Sequence, residues 1–177
     1  MKKILACNTA ITSLSLPNYS LIEELRLPNT LGTLHLNNCI YLTDDKFTVG
    51  KINYNNVENE DGTSSIVKTY ENDFSNLTDI YIENTPIDSY TMLKNIPENS
   101  ADGNPIELTY YISGFNWTIT DINDINISAD EEGNTVYTIP VLERLLNSKT
   151  QNNYEHKVSL FGNIHFNIAS LTEAFDA

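Results

Sequence analysis

The sequence predicts an α/β solenoid, in which short stacked coils place parallel strands side by side. A leucine-x-x-leucine-x-leucine frame, closed three residues later by a small polar residue or cysteine, recurs along the chain. Helix-forming segments follow these frames in the C-terminal half. Repeats of similar spacing indicate stacked coils, because one coil cannot bury its apolar edge alone. The frames occupy residues 22–30, 31–39 and 77–87, with a looser copy at 11–21.

The spacing of the frames predicts two strands in each coil. The strand leucines Leu14, Leu25 and Leu34 lie 11 and 9 residues apart. A complete coil of this kind needs about 20 residues. We therefore expect Ile4 to stack against Leu25 and Leu14 against Leu34, at separations of 21 and 20 residues. The expected result is a short solenoid with two sides.

Alternation along each strand separates inward from outward side chains. The aliphatic residues of a frame should point into the core, so the residue between them should project from the opposite face. These outward residues form a candidate binding surface, although ordinary solvated strand residues would show the same pattern. A charge at Leu34 should unfold the protein, whereas Arg26→Ala should hardly change its stability. The candidates are Ser15, Arg26, His35 and Tyr81.

Asparagine followed by threonine or cysteine closes the frames, at residues 8–9, 29–30, 38–39 and 84–85. Such side chains can satisfy backbone amides that face inward where the chain leaves a strand. Together with the frames, these pairs resemble leucine-rich repeats, specifically the short bacterial kind with two half-units per coil seen in internalin-like surface proteins. The resemblance covers residues 4–42 and 77–87. It implies an irregular leucine-rich repeat and does not identify a ligand.

We expect one domain over residues 1–177. Short coils should occupy residues 1–42, and longer strand-helix units should occupy 77–177. Between them, residues 43–76 should form a β-hairpin insertion, because two alternating arms, 51–57 and 64–70, flank an Asp-Gly turn.

A second β-hairpin is expected near residues 115–138. It should pair residues 117–120 with 135–138, since both segments have strand chemistry and an acidic turn precedes the second.

Helices are expected along one side of the C-terminal half. Asp88 or Ser89 can cap a helix that ends before Pro97. Pro140 suits the first turn of a second helix. Residues 170–177 resemble the start of a last helix, with a possible capping box.

Composition and motifs argue against several functions. Twenty-four acidic and ten basic residues give a net charge of −14, which would repel nucleic acid. No apolar run is long enough to span a membrane, and the apolar segment at residues 4–6 is too short for a secretory signal peptide. No known catalytic motif is present, so we expect neither enzymatic activity nor a cofactor.

A metal site is also not expected. Residues 121–126 offer aspartate and asparagine oxygens, but they lack the glycine and the terminal glutamate of an EF-hand loop. Whether the acidic loop 121–132 binds calcium stays open.

The predicted function is that of a non-enzymatic protein-interaction scaffold. Strands ending in glycine at residues 112–114 and 160–162 look similar to repeat segments in large virion proteins of phages that infect gut bacteria. We therefore expect a structural component of a bacteriophage virion, in the tail or baseplate, whose solenoid ends another domain or subunit covers. The alternative is a recognition or adhesion module on a bacterial cell surface, with a host protein or glycan as its receptor.

Overall fold

The computed structural model describes residues 2–147 and 159–168. About 45% of these residues lie in strands and 13% are helical. The strands are β1 (Lys3–Leu5), β2 (Ser13–Ser15), β3 (Glu24–Pro28), β4 (Thr33–Asn37), β5 (Phe47–Glu58), β6 (Ser64–Asn72), β7 (Asp79–Glu83), β8 (Thr109–Ile119), β9 (Asn126–Ala129), β10 (Thr135–Thr138) and β11 (Ser159–Phe166); the helices are α1 (Ser89–Asn95) and α2 (Pro140–Asn147).

The strands form two larger sheets and one small hairpin. The five-stranded sheet is parallel throughout, in the order β11-β8-β7-β4-β2. The four-stranded sheet has the order β1-β3-β5-β6, in which only β6 is antiparallel to its neighbour. From β1 to β5 the chain alternates between the two sheets, so that each early coil contributes to both; β6 then pairs with β5 in the four-stranded sheet before β7 returns to the five-stranded sheet. Their inner faces share one hydrophobic core.

The predicted stacking of aliphatic residues is confirmed. Ile4 lies beside Leu25 in the four-stranded sheet, and Leu14 lies beside Leu34 in the five-stranded sheet. Leu34 in turn pairs with Ile80 of β7. Leu25, Leu34 and Ile80 are fully buried. Complete burial of such a side chain contributes about 1.5–3 kcal/mol, so this stack is a principal source of stability.

The predicted fold class, an α/β leucine-rich-repeat solenoid with helices along one side, is wrong. The chain is mainly β, and the described residues contain only two α-helices, of 7 and 8 residues, besides two 3-10 turns of three residues each. The close spacing of the frames explains the difference. Nine residues between Leu25 and Leu34 accommodate a strand and a turn but no helix with its connections. The return segment of each early coil is therefore a strand, which builds a second sheet.

The two helices begin where the sequence predicts. The Asp88 carboxylate caps α1 by accepting a hydrogen bond from the backbone N–H of Thr91 at 3.0 Å. Helix α2 begins at Pro140. The two helices contact each other, and the Arg144 guanidinium of α2 donates a hydrogen bond to the carbonyl of Pro97 at 2.6 Å. The expected last helix at residues 170–177 lies outside the described residues.

The first hairpin forms with the predicted arms. Strands β5 and β6 pair antiparallel from Gly50 with Asn72 to Glu58 with Ser64. Residues 47–50, however, pair with β3 and belong to the four-stranded sheet, so the predicted insertion at 43–76 is partly a layer of the core. We call the projecting residues 51–71 the arm.

The second hairpin has only one of its two predicted strands. Residues 135–138 form β10, but β10 pairs with β9 and not with residues 117–120. Trp117 instead lies in β8, where its indole N–H donates to the Ser89 hydroxyl at 2.8 Å in the core. Burial of this aromatic side chain keeps β8 in the five-stranded sheet to Ile119.

Asparagines extend the backbone ladder beyond the ends of the parallel strands. Asn38 and Asn84 adopt the left-handed conformation, with φ of 54° and 44°. Their backbone N–H groups donate to the carbonyls of Glu83 and Ser113 at 2.7 and 2.9 Å. Their side-chain amides form a second ladder, from Asn84 to Asn38 at 3.1 Å and from Asn38 to Asn18 at 2.6 Å.

The predicted role of the residues that follow these asparagines is confirmed at Thr85. Its buried hydroxyl accepts a hydrogen bond from the backbone N–H of Cys39 at 3.2 Å and donates to the carbonyl of Leu36 at 3.0 Å. One side chain thus forms hydrogen bonds with two backbone groups of the neighbouring coil.

Two glycines permit a β-bulge between β8 and β11. The register changes so that Ser113 pairs with Phe161 but Phe115 pairs with Gly162, which leaves Gly114 without an opposite residue. Gly114 has a φ of +69°, and a Cβ atom there would lie 1.9 Å from the Oδ1 atom of Asn84. A Cβ atom on Gly162 would lie 2.4 Å from the carbonyl oxygen of Phe115. The bulge therefore excludes side chains at both positions.

We predict that Gly114→Ala destabilises the fold more than Gly103→Ala. Gly103 also has a positive φ, of +78°, but open space surrounds it. Its substitution should lower the free energy of unfolding by about 1 kcal/mol through the backbone alone. At Gly114 the clash with Asn84 should add about 2 kcal/mol. Urea unfolding measures both values, and equal losses would contradict the packing described at the bulge.

Candidate functional site

The five-stranded sheet aligns three of the four predicted surface residues. Ser15 pairs with His35, and His35 pairs with Tyr81, so one row crosses β2, β4 and β7. The next residue of the row is Tyr111 in β8. We call the side of the sheet that carries this row the outer face, and we call His35, Tyr81 and Tyr111 the aromatic row.

The sequence analysis missed Tyr111. No leucine frame marks β8, and Tyr111 follows another tyrosine, so alternation alone does not show which of the two points outward. The structure separates them by burial. Tyr110 is 1% exposed, and its hydroxyl donates to the carbonyl of Leu145 at 3.1 Å. Burial raises the pKa of Tyr110 to about 12. Tyr111 is half-buried on the opposite face.

Two rings of the aromatic row are in contact, and the strands that carry the row are packed on the core. The ring centroids of His35 and Tyr81 are 4.2 Å apart, and the rings are tilted by 48°. All three rings are half-buried, so part of each remains accessible to a partner. The side chains on the opposite face of the same strands, such as Leu34 and Ile80, are fully buried. Core packing therefore fixes the backbone that carries the row.

Two carboxylates flank the aromatic row. Asp79 and Glu83 lie two residues before and after Tyr81 on β7, and alternation places them on the same face. The Asp79 carboxylate accepts a hydrogen bond from the Thr78 hydroxyl at 2.8 Å. Neither carboxylate forms an ion pair with any residue that the structure describes.

Among the described residues, positive charge is concentrated on the other side of the protein. No lysine or arginine lies in a described strand of the five-stranded sheet. The described basic residues lie in or beside the four-stranded sheet or in the two helices, and they are Lys2, Lys3, Arg26, Lys46, Lys51, Lys68, Lys94 and Arg144. The outer face therefore combines aromatic rings with negative charge.

The fourth predicted residue, Arg26, is not accessible. It lies on β3 and is only 6% exposed. Its guanidinium donates to the Thr48 hydroxyl and to the carbonyl of Asp45, both at 2.6 Å. Its Cζ atom lies 4.2 Å from the centre of the Tyr70 ring. The side chain does point away from the core, but a 3-10 turn at residues 44–46 and the arm cover it.

The base of the arm is held by Asp73. Its carboxylate accepts hydrogen bonds from the backbone N–H of Ser75 at 3.2 Å and from the Asn29 amide at 2.8 Å, and the Lys51 ammonium lies 3.4 Å away. These contacts, Ser75 first, lower the pKa of Asp73 to about 2. The ionised carboxylate therefore stabilises the fold above its ordinary pKa of 3.8, and this contribution is lost as the pH falls towards 2.

The arm is a second exposed surface. Tyr54 is 55% exposed and Ile66 is 67% exposed, although both are large apolar side chains. Register places them on one face of the arm, together with Lys68, whose ammonium lies 5.7 Å from the centre of the Tyr54 ring. Beyond the sheet, the described strands of the arm pair only with each other.

A small cleft lies between the helices and the 3-10 turn at residues 122–124. It is lined by Tyr90, Lys94 and Asp124, among others. Lys94 forms an ion pair with Asp124. Burial and the nearby Asp124 carboxylate raise the pKa of Tyr90.

The residues considered for calcium are engaged in local contacts. Asp121 accepts a hydrogen bond from the backbone N–H of Asn123 at 2.9 Å, which forms the start of the 3-10 turn. Asp124 pairs with Lys94. Within the described ranges, no three histidine, cysteine or acidic side chains are arranged to hold a metal ion.

Comparisons with protein-family models, with curated proteins and with solved structures found no match to this chain. The resemblance to leucine-rich repeats therefore stays a prediction from the sequence. Within residues 2–147 and 159–168, no helix has the length and apolar character needed to cross a membrane.

We now predict that Arg26→Ala is destabilising, contrary to the expectation from the sequence. The variant loses two hydrogen bonds from a buried cation and its contact with Tyr70, which together should cost about 2–3 kcal/mol. Lys46→Ala is the control, because that side chain is 51% exposed and its ion pair with Asp45 should contribute less than about 1 kcal/mol. Chemical denaturation measures the free energy of unfolding of both variants. Equal small losses of this free energy would show that Arg26 is solvated.

Proposed function

We propose that this protein is a non-enzymatic protein-interaction scaffold that binds a partner through the outer face of its five-stranded sheet. The observation that carries this proposal is the aromatic row, in which three adjacent rings are partly accessible on a fixed backbone. Tyrosine offers a large amphipathic contact area at low conformational cost, which suits it to protein recognition.

The surroundings of His35 support a binding role over a catalytic one. Acid-base catalysis would place its ring within hydrogen-bond reach of a nucleophile or a carboxylate. His35 instead packs against the ring of Tyr81, and no described side chain hydrogen-bonds to it. The carboxylates of Asp79 and Glu83 flank the row from within one strand and do not converge on a pocket.

A selection from a random peptide library against the immobilised protein tests this function. Peptides that bind the native protein should lose at least about tenfold in affinity for the double variant Tyr81→Ser/Tyr111→Ser, because the accessible rings are removed. Tyr41→Ser is the control, since Tyr41 is 52% exposed and lies outside the row. Failure to enrich any peptide, or equal binding to the double variant, would refute the proposal.

A structural role in an assembly, such as the predicted virion tail or baseplate, is supported by the arm. Monomeric proteins seldom expose several large apolar side chains on one projecting element. Tyr54 and Ile66 do so here. In this second candidate function, the arm joins copies of the chain, and the outer face stays free for another partner.

Light scattering coupled to size-exclusion chromatography tests the second function. The native protein should form oligomers as its concentration rises, and Ile66→Asp should restore the monomer mass without changing the thermal midpoint. Thr69→Asp places the same charge on the other face of the arm and should leave the oligomer intact. A native protein that is monomeric at every concentration would exclude this role for the arm.

A further inference from the structure

We infer that the outer face recognises a cationic segment of a partner protein, with an arginine or lysine side chain over Tyr81 and between Asp79 and Glu83. This inference rests on the proposed function and adds the chemistry of the partner.

The spacing of the three residues suits one cation. Asp79 and Glu83 each lie two residues from Tyr81 along β7. In a strand, Cα atoms two residues apart are separated by roughly 7 Å. A cation above the tyrosine ring is therefore within reach of either carboxylate. The ring face attracts a cation, and a carboxylate accepts strong charge-assisted hydrogen bonds from a guanidinium. Tyr111, on the adjacent strand, lengthens this surface by one ring.

The same combination already exists inside the protein. On the four-stranded sheet, the Arg26 guanidinium lies over the Tyr70 ring at 4.2 Å. Its Nε atom also lies 3.4 Å from the Glu24 carboxylate. The pKa of Glu24 is lowered, first by its hydrogen bond from Lys3 and then by Arg26. The four-stranded sheet thus supplies its own cations, whereas on the outer face no described lysine or arginine pairs with Tyr81, Asp79 or Glu83.

The distribution of charge over the described residues favours the same partner. The six ion pairs between described residues all lie on the side of the four-stranded sheet and the helices. No ion pair within residues 2–147 and 159–168 involves a residue of the outer face, and the full chain carries a net charge of −14. Such a field accelerates the approach of a positively charged partner and repels an acidic one.

A neutral glycan fits these observations less well. It would find rings to stack on, but it would leave Asp79 and Glu83 without counterions. The 48° tilt between His35 and Tyr81 also departs from a flat platform. An acidic glycan would be repelled. A cationic protein segment uses both the rings and the charges.

Binding of three synthetic peptides of equal length tests the inference. One alternates arginine and serine, one glutamine and serine, and one glutamate and serine; a neutral oligosaccharide is the fourth probe. The arginine peptide should bind the native protein and shift the backbone NMR signals of β4, β7 and β8. Its affinity should fall as salt is added. Equal binding of the glutamine peptide or of the oligosaccharide would overturn the inference.

Matched variants separate a specific site from general charge attraction. Asp79→Asn/Glu83→Gln should lower the affinity for the arginine peptide at least about tenfold, which is a loss of about 1.4 kcal/mol in binding free energy. Glu58→Gln/Glu60→Gln changes the net charge by the same amount at exposed positions in the arm, and it should weaken binding less than about twofold. Equal losses in the two variants would show that only net charge matters. Thermal melts confirm that both variants are folded.

The library selection distinguishes failure of this inference from failure of the proposed function. Peptides that need Tyr81 and Tyr111 but lack lysine and arginine would retain the function and reject the cationic partner. The absence of any peptide that depends on these tyrosines would reject both. Enrichment of lysine or arginine among the peptides that depend on them would support both.

Discussion

Each coil of this protein buries its aliphatic side chains only against the coils beside it, and the rest of the structure depends on this constraint. Leu14, Leu34, Ile80 and Tyr110 occupy equivalent inward positions on successive strands of the five-stranded sheet. Because strand side chains alternate, the same register that stacks these residues also lines up the polar and aromatic residues between them on the outer face. The candidate binding surface is thus a direct product of core packing.

Turn residues preserve this register between coils. Asn38 and Asn84 follow β4 and β7, Gly114 occupies the corresponding position within β8, and all three have positive φ values. Their backbones continue the parallel ladder, and the space beside Gly114 receives the amide of Asn84. The arm and the two helices can then differ from coil to coil, since each attaches to a ladder whose geometry is already set.

Much of the stacking could be predicted from the sequence, because a separation of 20 or 21 residues between equivalent leucines is a local property. The covering of Arg26 could not. Alternation shows correctly that its side chain leaves the core, but its burial comes from Tyr70, 44 positions along the chain. Tyr111 was missed because no frame marks β8. The predicted fold class was wrong because the leucine frames indicate strands but do not show whether the return segment of each coil is a helix or a second strand.

The side-chain ladder of asparagines has a consequence for the ageing of the protein. The Asn38 amide donates to Asn18 and accepts from Asn84, so it acts in both directions at once. Deamidation to aspartate would remove the donor and set a negative charge against the Asn18 oxygen at a buried position. A single chemical event in a turn would thereby loosen three coils together.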